Sequence, residues 1–194
     1  MFTLSKFTPI FLASVALSSH AQPAEEFDDS FINAQLEKAK IDPNNSVTLD
    51  IDQPIEVVYR ALLSELPSYS DGVVSTLFDN SYSISRSELD IGSKRISTME
   101  DANILVQKII LFDPPNSFAY FTEMSESTIS APLDYSIGHY QLSEQANGRT
   151  SVEVSTVYKS NSRLTAFLVK LAFNRAFKQD FRKAEEYLNS IERK

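Results

Sequence analysis

The C-terminal part of the chain carries the longest regular pattern in the sequence. Between about Ser162 and Ile191, apolar side chains recur three and four residues apart, which predicts one continuous amphipathic helix. At about 1.5 Å per residue this helix would be roughly 40 Å long. Its apolar stripe comprises Ala166, Val169, Phe173, Ala176, Phe177, Phe181, Ala184, Leu188 and Ile191. A stripe of this length needs a large apolar surface elsewhere in the chain to cover it.

The segments before this helix mostly have the pattern of strands. Residues 46–51 alternate with period two, and at Pro54 the period changes to that of a helix extending to Leu66. Strand-like segments follow at 73–78, 81–89, 94–99, 104–112, 117–124, 135–144 and 150–158. Since turn residues separate them and no helical pattern interrupts them, they favour antiparallel hairpins. The sequence predicts an α+β fold in which a curved antiparallel sheet wraps around the C-terminal helix.

The first 21 residues have the features of a secretory signal peptide. Lys6 precedes an apolar run from about Phe7 to Leu17, and Ser19-His20-Ala21 forms a small-x-small cleavage site. An uncleaved anchor is the alternative, but the run is roughly half the length of a membrane span. We expect export, to a bacterial periplasm since the chain has no cysteine. Residues 22–45 are expected to form a polar, loosely attached lead-in, and residues 46–194 one domain.

Charge and catalytic groups narrow the function classes. The chain has 18 basic and 26 acidic residues and a formal charge of −8, which disfavours nucleic acid as a partner. Beyond the signal peptide the chain has one histidine, His139, and no cysteine, so thiol nucleophiles and paired-histidine metal sites are excluded. The few glycines form no phosphate-binding loop. We expect no metal, no cofactor and no catalytic residue, with a proton-transfer role of His139 as the minor alternative.

Several short motifs, in order, resemble one superfamily. They are Ile51-Asp52-Gln53-Pro54-Ile55-Glu56-Val57-Val58-Tyr59, Gly92-Ser93-Lys94-Arg95, Phe112-Asp113-Pro114-Pro115 before Phe118-Ala119-Tyr120, and Tyr135-Ser136-Ile137-Gly138-His139-Tyr140-Gln141-Leu142 after a loop with Pro132. Together they resemble the START-like polyketide cyclase/dehydrase and lipid-transport (SRPBCC) superfamily over roughly residues 46–191. The resemblance implies a helix-grip fold with a deep apolar cavity between the sheet and the last helix. Members bind lipids, sterols, polyketides or other hydrophobic molecules, and a minority catalyse cyclisation or dehydration.

This resemblance places candidate ligand-binding residues along the cavity. They are Arg86, Tyr120, Tyr140, Tyr158, Phe173 and Phe177, with core packing as the alternative for each aromatic residue. Arg86 is included because it alternates with Tyr82 and Ile84 in the segment 81–89, although a solvated strand charge is the simpler interpretation. Arg95 and Glu123 are further polar candidates if they point inward. An arginine inside the cavity would suit a ligand with a carboxylate or phosphate head.

Three functions compete at this point. The leading expectation is non-catalytic binding or carriage of a hydrophobic small molecule, such as a lipid or lipid-like metabolite, in the periplasm. The first alternative is a cyclase/dehydratase- or aromatase-type enzyme, and the second is a protein-interaction module whose pocket is filled by its own side chains. The apolar start of the last helix, residues 164–173, is compatible with packing under a loop, with a protein interface or with transient membrane contact.

Overall fold

The computed structural model describes residues 27–122, 124, 126–161 and 166–192, apart from the side chains of 166–169, 172 and 173. The predicted signal peptide, Glu123 and the side chain of Phe173 lie outside the described residues. Among the residues described, no helix is long and apolar enough to cross a membrane.

Seven antiparallel strands form one sheet in the order β1-β7-β6-β5-β4-β3-β2. The strands are β1 (Asn45–Ile51), β2 (Val73–Asp79), β3 (Lys94–Met99), β4 (Ile104–Asp113), β5 (Ser117–Thr122), β6 (Leu133–Gln145) and β7 (Arg149–Ser160). Sequential strands from β2 to β7 are hydrogen-bonded neighbours, as the predicted hairpins require, and β1 completes the sheet beside β7. The three α-helices are α1 (Asp29–Ile41), α2 (Ile55–Ser64) and α3 (Ala166–Ser190).

Helix α3 packs on one face of this sheet, which we call the inner face. Its described apolar residues Phe177, Phe181, Ala184 and Leu188 are buried against inner-face residues such as Leu49, Ile51, Leu142, Val152 and Val154. The end of α3 is fastened to the turn between β1 and α2, since Gln53 Nε2 donates to the Ile191 carbonyl at 2.5 Å and Asp52 N donates to Asn189 Oδ1 at 2.8 Å. The predicted sheet wrapped around a C-terminal helix is confirmed.

Helix α1 covers the opposite face, which we call the outer face. Asp28 caps the helix by accepting from the Phe31 N–H, and Ile32, Leu36 and Ala39 are buried on the sheet. Phe27 and Phe31 pack edge to face on Tyr135 of β6, with ring centroids 5.2 Å apart in both pairs. The expectation of a loosely attached segment is therefore wrong for its described part, because residues 29–41 form a helix fixed by an apolar cluster.

The predicted strand at 81–89 is also wrong. These residues form a loop closed by the Ile84 N–H on the Ile91 carbonyl and by carboxylate contacts of Asp79 and Asp90 with nearby serines. The loop ends at Gly92, whose φ of +93° suits only glycine. A Cβ there would lie 2.2 Å from the Tyr82 carbonyl oxygen, so the return of the chain into β3 depends on this glycine.

Candidate functional site

The structure brings most of the predicted ligand-binding residues to the inner face. Tyr120 on β5, Tyr140 on β6 and Tyr158 on β7 share the parity of the inner-face core residues, and Phe177 on α3 faces them. Arg86 lies elsewhere. It is exposed, with a positive φ, in the loop that replaces the predicted strand, so its alternation with Tyr82 and Ile84 has no structural meaning.

One end of the inner face is filled by aromatic rings. The rings of Phe118 and Tyr140 stack with centroids 4.3 Å apart, and Phe181 of α3 closes over Tyr140 at 5.9 Å. Phe177 packs on Phe181 at 4.7 Å. Phe177 and Phe181 therefore belong to the hydrophobic core together with these rings.

Arg95 projects from β3 into the same interior. Its side chain is held by three hydrogen bonds: Nε and Nη2 donate to Gln107 Oε1 at 3.1 and 2.6 Å, and Nη1 donates to the Leu63 carbonyl at 3.3 Å. The guanidinium carbon also lies 3.8 Å from the centroid of the Tyr120 ring. Arg95 is only 3% exposed, so a positive charge is buried within the domain.

A row of polar side chains crosses the inner face from Arg95. In register order it runs through Gln107 on β4, Thr122 on β5, Ser136 on β6 and Tyr158 on β7. The hydroxyls of Thr122 and Ser136 are 2.6 Å apart and share a hydrogen bond. The aromatic end of the face is thus followed, along the strands, by a polar band.

Two further polar groups beside this band have no partner. Asn45 on β1 and Thr156 on β7 are paired in register, on the inner face, and each is 7% exposed. Neither the Asn45 Nδ2 nor the Thr156 Oγ1 makes a hydrogen bond. Buried polar atoms without partners are rare in folded proteins and call for an explanation. Gly138 on β6 is paired with Thr156 on β7, and it adds no side chain to this part of the face.

The tyrosines of the interior are neutral. Burial raises the pKa of Tyr120 and of Tyr140, with smaller and opposing effects from the nearby Arg95 charge. Tyr69, which is fully enclosed beside them, has its pKa raised for the same reason. Their hydroxyls stay protonated at neutral pH and act as hydrogen-bond donors, as Tyr120 does toward the Leu63 carbonyl at 3.1 Å.

His139 takes no part in this interior. It lies on the outer face, paired with Ala119 and Ser155, where α1 covers it. Burial, followed by the charge of Lys40, lowers its pKa to about 4. The imidazole is therefore neutral at physiological pH and is separated from the inner face by the sheet.

The remaining parts of the described structure have fewer features of a binding site. Over the residues that the structure describes, no group of three His, Cys, Asp or Glu side chains is placed to hold a metal ion. A surface groove of about 430 Å³ lies at the turn between β3 and β4, open to solvent, and its lining includes Gly72, Met99, Glu100, Asp101, Asn103, Ile129 and Ser130. The inner face is thus the candidate site.

The comparisons with known proteins agree with this architecture. No family model and no curated protein matches the sequence. Among solved structures, the protein XoxI from Bacillus cereus matches with a TM-score of 0.59 at 12% identity, over 77% of this chain and 98% of that one. Ara h 8.0201 matches with a TM-score of 0.54 at 17% identity, over 76% of this chain and 100% of that one. The chain has the START-like helix-grip fold. At these identities the likeness concerns the fold.

A protein from Mesorhizobium loti shares the helix-grip fold at a TM-score of 0.50 and 14% identity, over 77% of this chain and 100% of that one. All three neighbours are covered almost completely or completely, so the helix-grip fold spans their whole length. Within this fold, Arg95, the polar band and the unpartnered pair Asn45 and Thr156 lie on the face of the sheet on which α3 packs.

Sequence reasoning named Arg95 but ranked it below Arg86 and did not find Asn45, Gln107 or Thr156. A signal for Arg95 was present, because it follows Gly92 and Ser93 in a motif that resembles the superfamily. No signal marked Asn45 or Thr156, since an isolated polar residue in a strand is usually solvated.

Proposed function

We propose that this protein binds a hydrophobic small molecule, a lipid or lipid-like metabolite, between the inner face of its sheet and helix α3. The observation that carries the proposal is the unpartnered pair Asn45 and Thr156, buried beside a polar band on a face that is otherwise apolar. A core evolved for stability alone would have apolar residues there, since an unsatisfied buried polar atom is unfavourable by about 1–3 kcal/mol. A ligand with hydrogen-bonding groups would supply the missing partners.

The predicted signal peptide extends this proposal to carriage in the periplasm. A molecule with an apolar tail dissolves poorly between two membranes, so a binding domain that encloses the tail would keep it in solution. The negative net charge fits a domain that releases its ligand without adhering to anionic lipid surfaces.

An enzyme of the cyclase or dehydratase type is the second candidate, and Asp180 favours it. This half-buried carboxyl on α3 has its pKa raised by burial, and its charge acts on the buried Tyr140. A carboxyl whose pKa is raised by burial and whose charge acts on a buried phenol is a candidate for proton exchange. Replacing Asp180 by Asn would abolish turnover if the protein is an enzyme, whereas it would leave ligand affinity nearly unchanged in a carrier.

Binding can be tested with the neutral dye N-phenyl-1-naphthylamine, which fluoresces in apolar surroundings. The variant Gly138→Leu fills the interior beside Thr156. The backbone there accepts a Cβ, which would lie 3.6 Å from Tyr140 Cε2, an ordinary contact. The matched control Ser143→Leu adds the same side chain to the same strand at an exposed position of the outer face.

We expect the wild type and Ser143→Leu to bind the dye with equal affinity and Gly138→Leu to lose at least ~10-fold. Thermal unfolding of each variant shows whether it is folded. Equal binding by all three proteins would mean that the dye binds outside the interior, and an absence of binding by the folded wild type would refute the proposal.

A further inference from the structure

The Arg95 guanidinium is a buried charge with incomplete pairing. The three hydrogen bonds that hold it occupy three of its five N–H donors. Its partners are a side-chain amide and a main-chain carbonyl, both neutral. Among the residues described, no carboxylate forms an ion pair with Arg95. The charges that act on the Asp180 carboxyl are those of Lys183 and Asp71, not that of Arg95.

Two features reduce the energetic penalty of this charge without cancelling it. The Leu63 carbonyl belongs to the last turn of α2, where the helix dipole is negative and favours a cation. The ring of Tyr120 presents its negative face to the guanidinium at 3.8 Å. The neighbouring phenols remain neutral, so the interior keeps nearly a full positive charge in an apolar surrounding.

The position of Arg95, between polar and apolar surface, suits the binding of an amphiphilic ligand. It lies at one end of the polar band, and the aromatic side chains of Phe118, Tyr120 and Tyr140 line the neighbouring part of the inner face. Gln107 and the Leu63 carbonyl hold the guanidinium in place and leave it two N–H donors, one on Nη1 and one on Nη2. Guanidinium donors of this kind bind carboxylate or phosphate oxygens.

We propose that Arg95 binds the acidic head group of an amphiphilic ligand, a carboxylate or a phosphate on a hydrocarbon tail that lies along the inner face. This inference rests on the proposed binding function and names the class of its ligand. An uncharged amphiphile such as an alcohol or a sterol would leave the Arg95 charge buried without a counter-ion, and it would bind more weakly for that reason.

The test is competition for the bound neutral dye at neutral pH by three compounds that share one tail: dodecanoate, dodecyl phosphate and dodecanol. In the wild type we expect at least one of the two anions to displace the dye at a concentration at least ~10-fold lower than the alcohol does. The preferred anion identifies the head group as carboxylate or phosphate. Equal displacement by anions and alcohol would overturn the role of Arg95 while leaving the binding function intact, whereas failure of the dye to bind the wild type would remove both.

Variants of Arg95 test whether this side chain causes the preference for an anionic head group. Arg95→Met is expected to lose the preference for the anion and to keep its affinity for dodecanol within ~3-fold, while the exposed control Arg86→Met behaves as the wild type. If Arg95→Met does not fold, Arg95→Lys, which keeps the charge but not the fork, is expected to show an intermediate preference. An undiminished preference in a folded Arg95 variant would assign the anion to another group and contradict the inference.

Discussion

Two threonines on β7 allow the cost of the unpartnered site to be measured. Thr150 and Thr156 are both buried on the inner face of the same strand, at 0% and 7% exposure. Thr150 Oγ1 donates to the Gln53 carbonyl at 2.7 Å, whereas Thr156 Oγ1 has no partner. Replacement by Val preserves the shape of the side chain and the β-branch, and it exchanges a hydroxyl for a methyl group.

The two variants should change stability in opposite directions. Thr150→Val removes one hydrogen bond and leaves the Gln53 carbonyl unsatisfied, so it should lower the free energy of unfolding by about 1–2 kcal/mol. Thr156→Val removes a buried hydroxyl that has no partner, so it should raise the free energy of unfolding by about 1 kcal/mol in the ligand-free protein. The backbone bond from Asn44 N to the Thr156 carbonyl is present in both proteins and does not affect the comparison.

Equilibrium unfolding in urea of delipidated protein measures both values. The slopes of the free energy against urea should match that of the wild type, because the surface exposed on unfolding is nearly unchanged. If the proposed binding function is correct, Thr156→Val should also bind the ligand more weakly, since the hydroxyl would then serve binding at the expense of stability. A loss of stability in Thr156→Val equal to that in Thr150→Val would show that Oγ1 is already satisfied, and this would refute the reasoning.

Two more predictions concern pH and the loop before β3. The pKa of His139 is about 4 in the fold against an ordinary value of 6.5. Between these values the unfolded state binds a proton and the folded state does not, so stability is highest above pH 6.5 and falls as the pH is lowered toward 4. Between pH 6.5 and pH 4, the free energy of unfolding of the wild type should therefore fall by up to ~3 kcal/mol more than that of His139→Gln, as measured by urea unfolding. If the free energies of unfolding of the two proteins changed with pH in parallel, the assignment would be contradicted. Gly92→Ala combines a positive φ with a 2.2 Å contact to the Tyr82 carbonyl, so it should lower the free energy of unfolding by more than ~2 kcal/mol. The control Gly148→Ala has a similar φ but open space and should lose less, as thermal unfolding can show.

Much of the fold is predictable from the sequence because its signals are local. Period two and turn residues predicted β3 at its observed bounds, 94–99. They also predicted β4 at 104–112, one residue short of its observed end at Asp113. Helix α1 was missed because Ile32, Leu36 and Ala39 form a short stripe among charged residues, and its stability comes from packing on the outer face. The segment 81–89 shows the opposite error, since Tyr82 and Ile84 alternate with polar residues yet are exposed in a loop.

The site was harder to predict than the fold, for a physical reason. Alternation shows that neighbouring residues of a strand point to opposite faces, but it does not show which face is covered by α3. Alternation alone therefore could not tell which of Arg86 and Arg95 points toward α3. The closed turn at Gly92 separates them, because it leaves Arg86 in solvent and begins the strand that carries Arg95 inward.

The central claim, an interior that holds an amphiphile, is most directly tested by native mass spectrometry of the protein purified gently from the envelope fraction of its own cells. Organic extraction would then identify whatever is bound. The account predicts a stoichiometric acidic lipid or lipid-like acid in the wild type, which is absent from Gly138→Leu and retained by Ser143→Leu. A wild-type protein that is folded and free of any such molecule, and that acquires none when incubated with an extract of the same envelope, would contradict the account.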